Sequence, residues 1–504
     1  MPVLVASFAA AIALIVGFGV VAGTASAAPI NSAPPAPTLP AFSGSTATPV
    51  PVKGAVRAPQ NPFLATGPWS NIHNDSWMTD AYPGPGPLGT NLEATSGAAQ
   101  PGVCGTITFD SRGRIVTVCA SNIAPPQVRL VDPVTLAVIA TLELPNAAPI
   151  GDTPTFQDYT AGGYFFLDSR DRIWVSTKTN RVLVIGQNDA GDGFVVQRDF
   201  DLSGVLDPAR ERISSVLPDF SGRIWFVSKQ SGTVGTLDRK SGAIRTLVLG
   251  ERVQNSFTVG RDGIYIASSV RMYRLGSTRN GTPRIVWKVR YRNTGQAKPG
   301  QADAGTGTTP TILKGGLVAI TDNADPMNVV VYRTAAKLAR GQKRTVCEVP
   351  VFGAGRGATE NSLIGAGRSL IVENNYGYTD PFAPGGGNVV SEAGFARVDV
   401  RADGRGCRKV WTNSMERAPS VVPKMSNRTG LIYTYTRPPD PGGSQGYYWT
   451  AISYHTGKTA WSKYAGSGLL FNNNYAGLAL GPDGSAYLGV IGGIIRLSDS
   501  PLPD

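Results

Sequence analysis

Two stretches decide the fold: Asp168-Ser169-Arg170-Asp171-Arg172-Ile173-Trp174-Val175-Ser176, and Asp219-Phe220-Ser221-Gly222-Arg223-Ile224-Trp225-Phe226-Val227. Each joins a four-residue turn, opened by Asp, to a run of β-branched and aromatic residues of strand length. Asp110-Ser111-Arg112-Gly113 before Arg114-Ile115-Val116-Thr117-Val118 is a third copy, and looser turns follow at 260–263, 313–316, 365–367, 426–430 and 481–484. From Gly113 to Gly484 they recur about every 53 residues. A second pair of strands fits between copies, such as 128–132 with 137–142, 234–238 with 244–248, and 451–454 with 459–461. Four strands at this period predict an all-β propeller, because one small sheet cannot bury its faces without neighbours. Eight copies predict eight four-stranded blades. Seven blades, or a pair of β-sandwiches, are the alternatives.

Composition agrees with frequent turns. The chain has 504 residues with 61 Gly and 38 Pro, which disfavours a helical protein. Charged residues make 16%, too few for a coiled coil, and 41% hydrophobic content is too high for a disordered chain. Two His leave no room for a His-rich metal site or a haem array.

The N-terminus sets an address. Residues 3–21 are apolar and uncharged, and Ala25 and Ala27 match a secretory cleavage pattern. No Lys or Arg precedes the run, so an uncleaved anchor is the alternative, and any membrane contact runs through this segment alone. We read 1–27 as a signal, 28–62 as a disordered Pro/Ala/Ser/Thr-rich tether, 63–99 as an aromatic and Gly/Pro-rich lead-in, and 100–504 as one propeller. A secreted or envelope-associated monomer is expected. The four Cys fit an oxidising compartment. Cys104 and Cys119 flank the turn at 110–113 symmetrically, which sets them opposite each other across two antiparallel strands. Cys347 and Cys407 pair by elimination.

The segment Ala451-Ile452-Ser453-Tyr454-His455-Thr456-Gly457-Lys458-Thr459-Ala460-Trp461 resembles the repeat of quinoprotein-type (PQQ-like) propellers. The whole also resembles uncharacterised exported bacterial propellers. The resemblance implies that Trp461 packs between blades, and that Glu, Asn and Asp side chains hold calcium beside a quinone. Gluconolactonase- and paraoxonase-like propellers hold a catalytic calcium in a Glu/Asn/Asn/Asp set, on six blades. PQQ is the less favoured cofactor, because the adjacent-Cys pair that flanks the quinone in alcohol dehydrogenases of that family is absent here.

In a propeller, residues before each innermost strand and after each second strand meet around one channel mouth. Sorting the chain this way gathers Asp158, Asn255, Glu360, Asn361 and Asn473 before innermost strands. Asp322, Asn323, Asp325, Glu373, Asn374 and Lys229 follow second strands. Each has a plainer reading as a turn or cap residue. Glu360, Asn361, Asp322 and Asn323 are the candidate calcium ligands, since carboxylate and amide oxygens suit a hard cation. The stretch from Trp69 to Gly89 carries two Trp, a Tyr and His73 before a Gly-Pro run. It reads as a ligand loop built on His73 with Asp75 or Asp80, or as a plug covering the channel. A Ser-His-Asp triad could use only His73, and no G-x-S-x-G elbow occurs, so triad chemistry is not expected.

Net charge is +12, spread over the blades rather than in one stripe. Nucleic acid is therefore not an expected partner; anionic envelope polymers are compatible. The functional expectation is an exported propeller binding a ligand, ion or protein partner on its channel face. A calcium- and quinone-dependent oxidoreductase, or a calcium-dependent lactonase-like hydrolase on the same face, is the alternative.

Overall fold

The computed structural model describes residues 26–99, 102–121, 124–151, 158, 160, 162–383, 390–440, 443 and 445–500. Nearly all of the expected export signal lies outside these residues. Among them, eight antiparallel sheets form an eight-bladed ring, seven with four strands and one enlarged to six. Innermost strands of blades 1 to 8 are Val103–Phe109, Phe166–Leu167, Ile213–Pro218, Thr258–Gly260, Thr311–Leu313, Ile364–Ala366, Lys424–Ser426 and Ala479–Leu480. Among the described residues one short 3-10 turn, Leu469–Phe471, interrupts this all-β order. Eight blades hold, not seven, and there is no sandwich.

The repeated turn works through its first residue. The Asp168 Oδ1 accepts the amides of Arg170 and Arg172 at 2.9 and 3.1 Å. Its Oδ2 accepts the Arg172 Nε at 2.8 Å and the Trp174 indole at 2.9 Å. Asp219 repeats the scheme with the amides of Ser221 and Arg223 and the Trp225 indole. One carboxylate thus closes the turn and pins the Trp that fills the space between blades. The last turn position is left-handed, at φ 77° in Gly113 and 85° in Gly222, which explains the Gly there. Behind the turns, second strands such as Ile224–Ser228 are wholly buried. Trp225 and Trp461 are each 1% exposed, as core residues.

Both disulfides join the pairs expected. Cys104 and Cys119 are register partners across two strands of blade 1, and Cys347–Cys407 ties the outer strands of blades 5 and 6. They fit an oxidising environment. No helix among the described residues is long and apolar enough to cross a membrane.

Two boundaries differ from the sequence reading. The lead-in does not stop short of the ring: Glu93–Ala98 pairs with Gly493–Ser498 as the outermost strand of blade 8. The C-terminal end supplies only three strands there, so the N-terminal one closes the ring. Residues 28–62 are also not a free tether. Phe42–Gly44 adds to Thr459–Ser467, the Val50 and Val52 amides bond the carbonyls of Thr429 and Asn427, and Ile30 and Val52 are buried. A Pro- and Ala-rich segment cannot build a core, but its remaining amides can satisfy backbone groups that blade edges leave open.

Candidate functional site

Residues 69–82 occupy the inside of the ring. Innermost strands present unpaired amides there, and this segment accepts them one blade after another. Leu167 bonds Ser70 O, Val259 bonds Ser76 O, Ile312 bonds Trp77 O, and Gly365 bonds Thr79 O, at 2.7 to 3.0 Å. Met425 and Asn427 bond the carbonyls of Asp80 and Tyr82, and Ala81–Tyr82 pairs in parallel with Lys424–Ser426. The Trp69 indole donates to Leu480 O at 2.7 Å. The turns this path requires put Asn74, Met78 and Asp80 in left-handed conformations, at φ 64°, 54° and 53°.

A buried polar chain runs through the segment. His73 Nδ1 lies 3.0 Å from Asp80 Oδ2, and its Nε2 lies 3.3 Å from Ser362 Oγ. Asp80 also pairs with the Lys424 ammonium, which in turn donates to Ile72 O. His73, Asp80 and Lys424 are all 2% exposed or less. Burial holds the His73 pKa below its ordinary value; Lys424 adds to that effect and Asp80 opposes it. The ring is therefore neutral at pH 7. Its Nδ1 then donates to Asp80, and its Nε2 is free to accept from Ser362. Asp75, by contrast, is a turn former: its oxygens accept the Trp77 amide at 2.8 Å and the Thr79 hydroxyl. Burial raises its pKa to about 7.

Next to this chain lies a set of buried polar groups with unspent valence. Glu360 Oε2 accepts the Ala302 amide at 3.2 Å, but Oε1 has no partner. Asn255 Oδ1 accepts the Tyr164 hydroxyl at 2.9 Å, but Nδ2 has none. The Tyr164 ring stacks on His73 at 6.3 Å. Asp158 Oδ2 has only an ion-pair contact, 3.5 Å from Lys178 Nζ. Lys229, 3% exposed, is held below its ordinary pKa by burial, against the pull of Asp158, Asp303 and Glu360. Burial lifts Glu360 to about 8, with Lys229 opposing. Asp158, Lys229, Asn255 and Glu360 thus form one electrostatic neighbourhood, a polar cup beside the plug.

The other expected site residues make hydrogen bonds that hold the fold, although Asn323 Oδ1 and Glu373 Oε2 have no partner. Asp322 Oδ1 accepts the amides of Ala324 and Asn328, and its Oδ2 takes the Asn328 side chain. The Asn323 amide bridges Asn293 and Gln296 O, and Asp325 takes the Gly355 amide. Asn374 caps the amides of Ala358 and Tyr376, and Asn473 accepts from Ser420. Asn361 donates to Glu373 and to Val421 O, while Asn375 donates to Glu373 and Ala418 O. Glu373 is thereby the knot between blades 6 and 7; burial raises it to about 8, and its Oε2 has no partner. The calcium set does not fit a hard cation: Asp322 already faces amide donors, and Asn361 points its NH₂ at Glu373. Among the described residues, no three His, Cys, Asp or Glu side chains form a metal-holding group.

Sequence reasoning missed Ser362, Tyr164 and Lys424. Lys424 left a signal, a lysine in the innermost strand Lys424–Ser426, whose three residues are all buried. Ser362 left a weaker one, a polar residue two positions after Glu360 in the approach to the innermost strand of blade 6.

No family model matches the chain. An uncharacterised protein of Archaeoglobus fulgidus is 25% identical over 396 residues, covering 72% of this chain and 75% of that protein. Among solved structures, a streptogramin B lyase is similar at TM-score 0.40 and 13% identity, covering 84% of this chain and 99% of its own. Virginiamycin B lyase from Staphylococcus aureus is similar at TM-score 0.41 and 11% identity, covering 68% and 96%. The WD40 domain of SCAP from fission yeast is similar at TM-score 0.45 and 10% identity, covering 82% and 98%.

Proposed function

We propose that this is an exported propeller whose channel-face cup binds a small hydroxylated molecule carrying an acidic or carbonyl oxygen. One observation carries the reading: Glu360 Oε1 and Asn255 Nδ2 are buried near each other with no partner in good hydrogen-bond geometry, and the Lys229 side chain is buried alongside. A buried group left unsatisfied costs about 1–3 kcal/mol, and a ligand that satisfies it recovers that cost. With its pKa near 8, Glu360 stays largely protonated at neutral pH and can donate to a ligand oxygen. Asn255 Nδ2 is a second donor, and Lys229 favours an anionic or strongly polarised acceptor. Export is supported by the apolar N-terminal run and the two disulfides.

Thermal melts with glucuronate and with glucose as probes test the cup. Glucuronate is expected to raise the melting temperature by about 2 °C or more at millimolar concentration, and more than glucose does. Lys229→Met is expected to remove that difference. A melting temperature that neither probe moves counts against the reading.

A further inference from the structure

Glu360 and Ser362 lie two positions apart just before Ile364–Ala366, with a bend at Asn361 between them, and Tyr164, which stacks on His73 and donates to Asn255, links their surroundings. Asn361 bonds across to blade 7, and Leu363 is buried in the core between blades 5 and 6. Ser362 itself is 5% exposed. Three further contacts shape it. Its Oγ lies 3.3 Å from His73 Nε2, and His73 Nδ1 lies 3.0 Å from Asp80. Its Oγ also accepts the Thr309 amide at 3.1 Å. Lys424 compensates the charge of Asp80 without displacing His73, since a carboxylate accepts several donors at once.

We propose that Ser362 is a nucleophile, His73 its general base and Asp80 the residue that positions His73, in an acyl-transfer site for small carboxylic esters, lactones included. The proposal rests on the cup as the ligand site, because the cup would present the ester. Geometry alone assembles this triad, without the sharp turn that motif searches seek, from residues 289 apart in the chain. The Ser362 Oγ forms a bond to the ester carbonyl carbon as its proton passes to His73 Nε2. The carbon–alkoxy bond then breaks, and the Nε2 proton goes to the leaving oxygen. Water repeats the sequence on the acyl-serine, giving the carboxylic acid and free Ser362. The Thr309 hydroxyl, buried and without a partner, offers a donor for the developing oxyanion.

A fluorophosphonate probe tests the nucleophile directly, since it phosphonylates an activated serine by displacing fluoride. The folded full chain is expected to carry the adduct on Ser362, located by peptide mass spectrometry. Heat-denatured protein should carry none, and Ser362→Ala should lose both the adduct and hydrolysis of nitrophenyl acetate. His73→Gln should slow labelling about a hundredfold or more. The positioning role of Asp80 has its own readout: long-range proton–nitrogen spectra should show His73 protonated at Nδ1 and bare at Nε2. An unmodified Ser362 in folded wild-type protein overturns the proposal, as does the opposite tautomer. If labelling fails while glucuronate still shifts the melt, the triad falls and the binding site stands. Labelling without any probe-dependent shift would sink the binding site instead.

Discussion

The turn face and the channel face of the ring spend their polar groups differently. On the turn face, Asp110, Asp168 and Asp219 each accept backbone amides on one oxygen and an Arg or Trp side chain on the other. On the channel face, Glu360, Asn255 and Glu373 each retain a buried atom with no partner. Both faces are rich in carboxylates and amides, so composition does not separate them. The difference lies in satisfaction: a polar group whose valence is used holds the fold, and one whose valence is open is available to a ligand.

The sharpest way to break this comparison is at the plug, where one side chain serves both purposes. Asp80→Asn leaves Lys424 charged and buried, and should cost about 3–5 kcal/mol in chemical denaturation. Adding Lys424→Met to it should restore most of that loss, because no uncompensated charge then remains. Failure of the second change to rescue would mean that Asp80 holds the fold by another route.

Acidity offers the next largest effect. Glu360 and Glu373 are both raised to about 8 by burial, so the folded state binds more protons than the unfolded chain between pH 4.5 and 8. Stability should therefore fall as pH rises through that window, by an amount on the order of a few kcal/mol, and level off above it. Melting curves across pH should show the slope, and Glu360→Gln or Glu373→Gln should each flatten part of it.

On the turn face, Asp168→Ala removes two amide caps and the anchors of Arg172 and Trp174. A loss of about 2 kcal/mol is expected, with the glucuronate response unchanged. In the mirror experiment, Glu360→Gln should not destabilise the protein at neutral pH, where it removes the titration penalty of Glu360, while weakening the glucuronate response. If Asp168→Ala weakened binding and Glu360→Gln did not, the contrast between the faces would be wrong.

What was legible in the sequence was local. The Asp168 and Asp219 turns, their following strands and the Cys104–Cys119 pair are all set within about 15 residues, so spacing alone exposes them. The plug was visible as an anomaly of aromatics and His73, but its role was not, because its partners are strands of distant blades. Asp80 meets Lys424 across 344 residues, and no local pattern encodes that meeting. Residues 28–62 misled for another reason. Their composition reports that they cannot bury a core, which is true, but their attachment uses backbone amides that composition does not show. The polar residues at strand ends look alike in the sequence, and only bond accounting separates Glu360 from Asp322.

The closing strand of blade 8 imposes an order of assembly. Glu93–Ala98 precedes every complete blade in the sequence and its partner Gly493–Ser498 follows the other seven, so the ring cannot shut until both are present. The plug precedes every blade in the sequence, and its carbonyls accept amides from the innermost strands of blades 2, 4, 5, 6 and 7. Such long-range closure makes for slow folding.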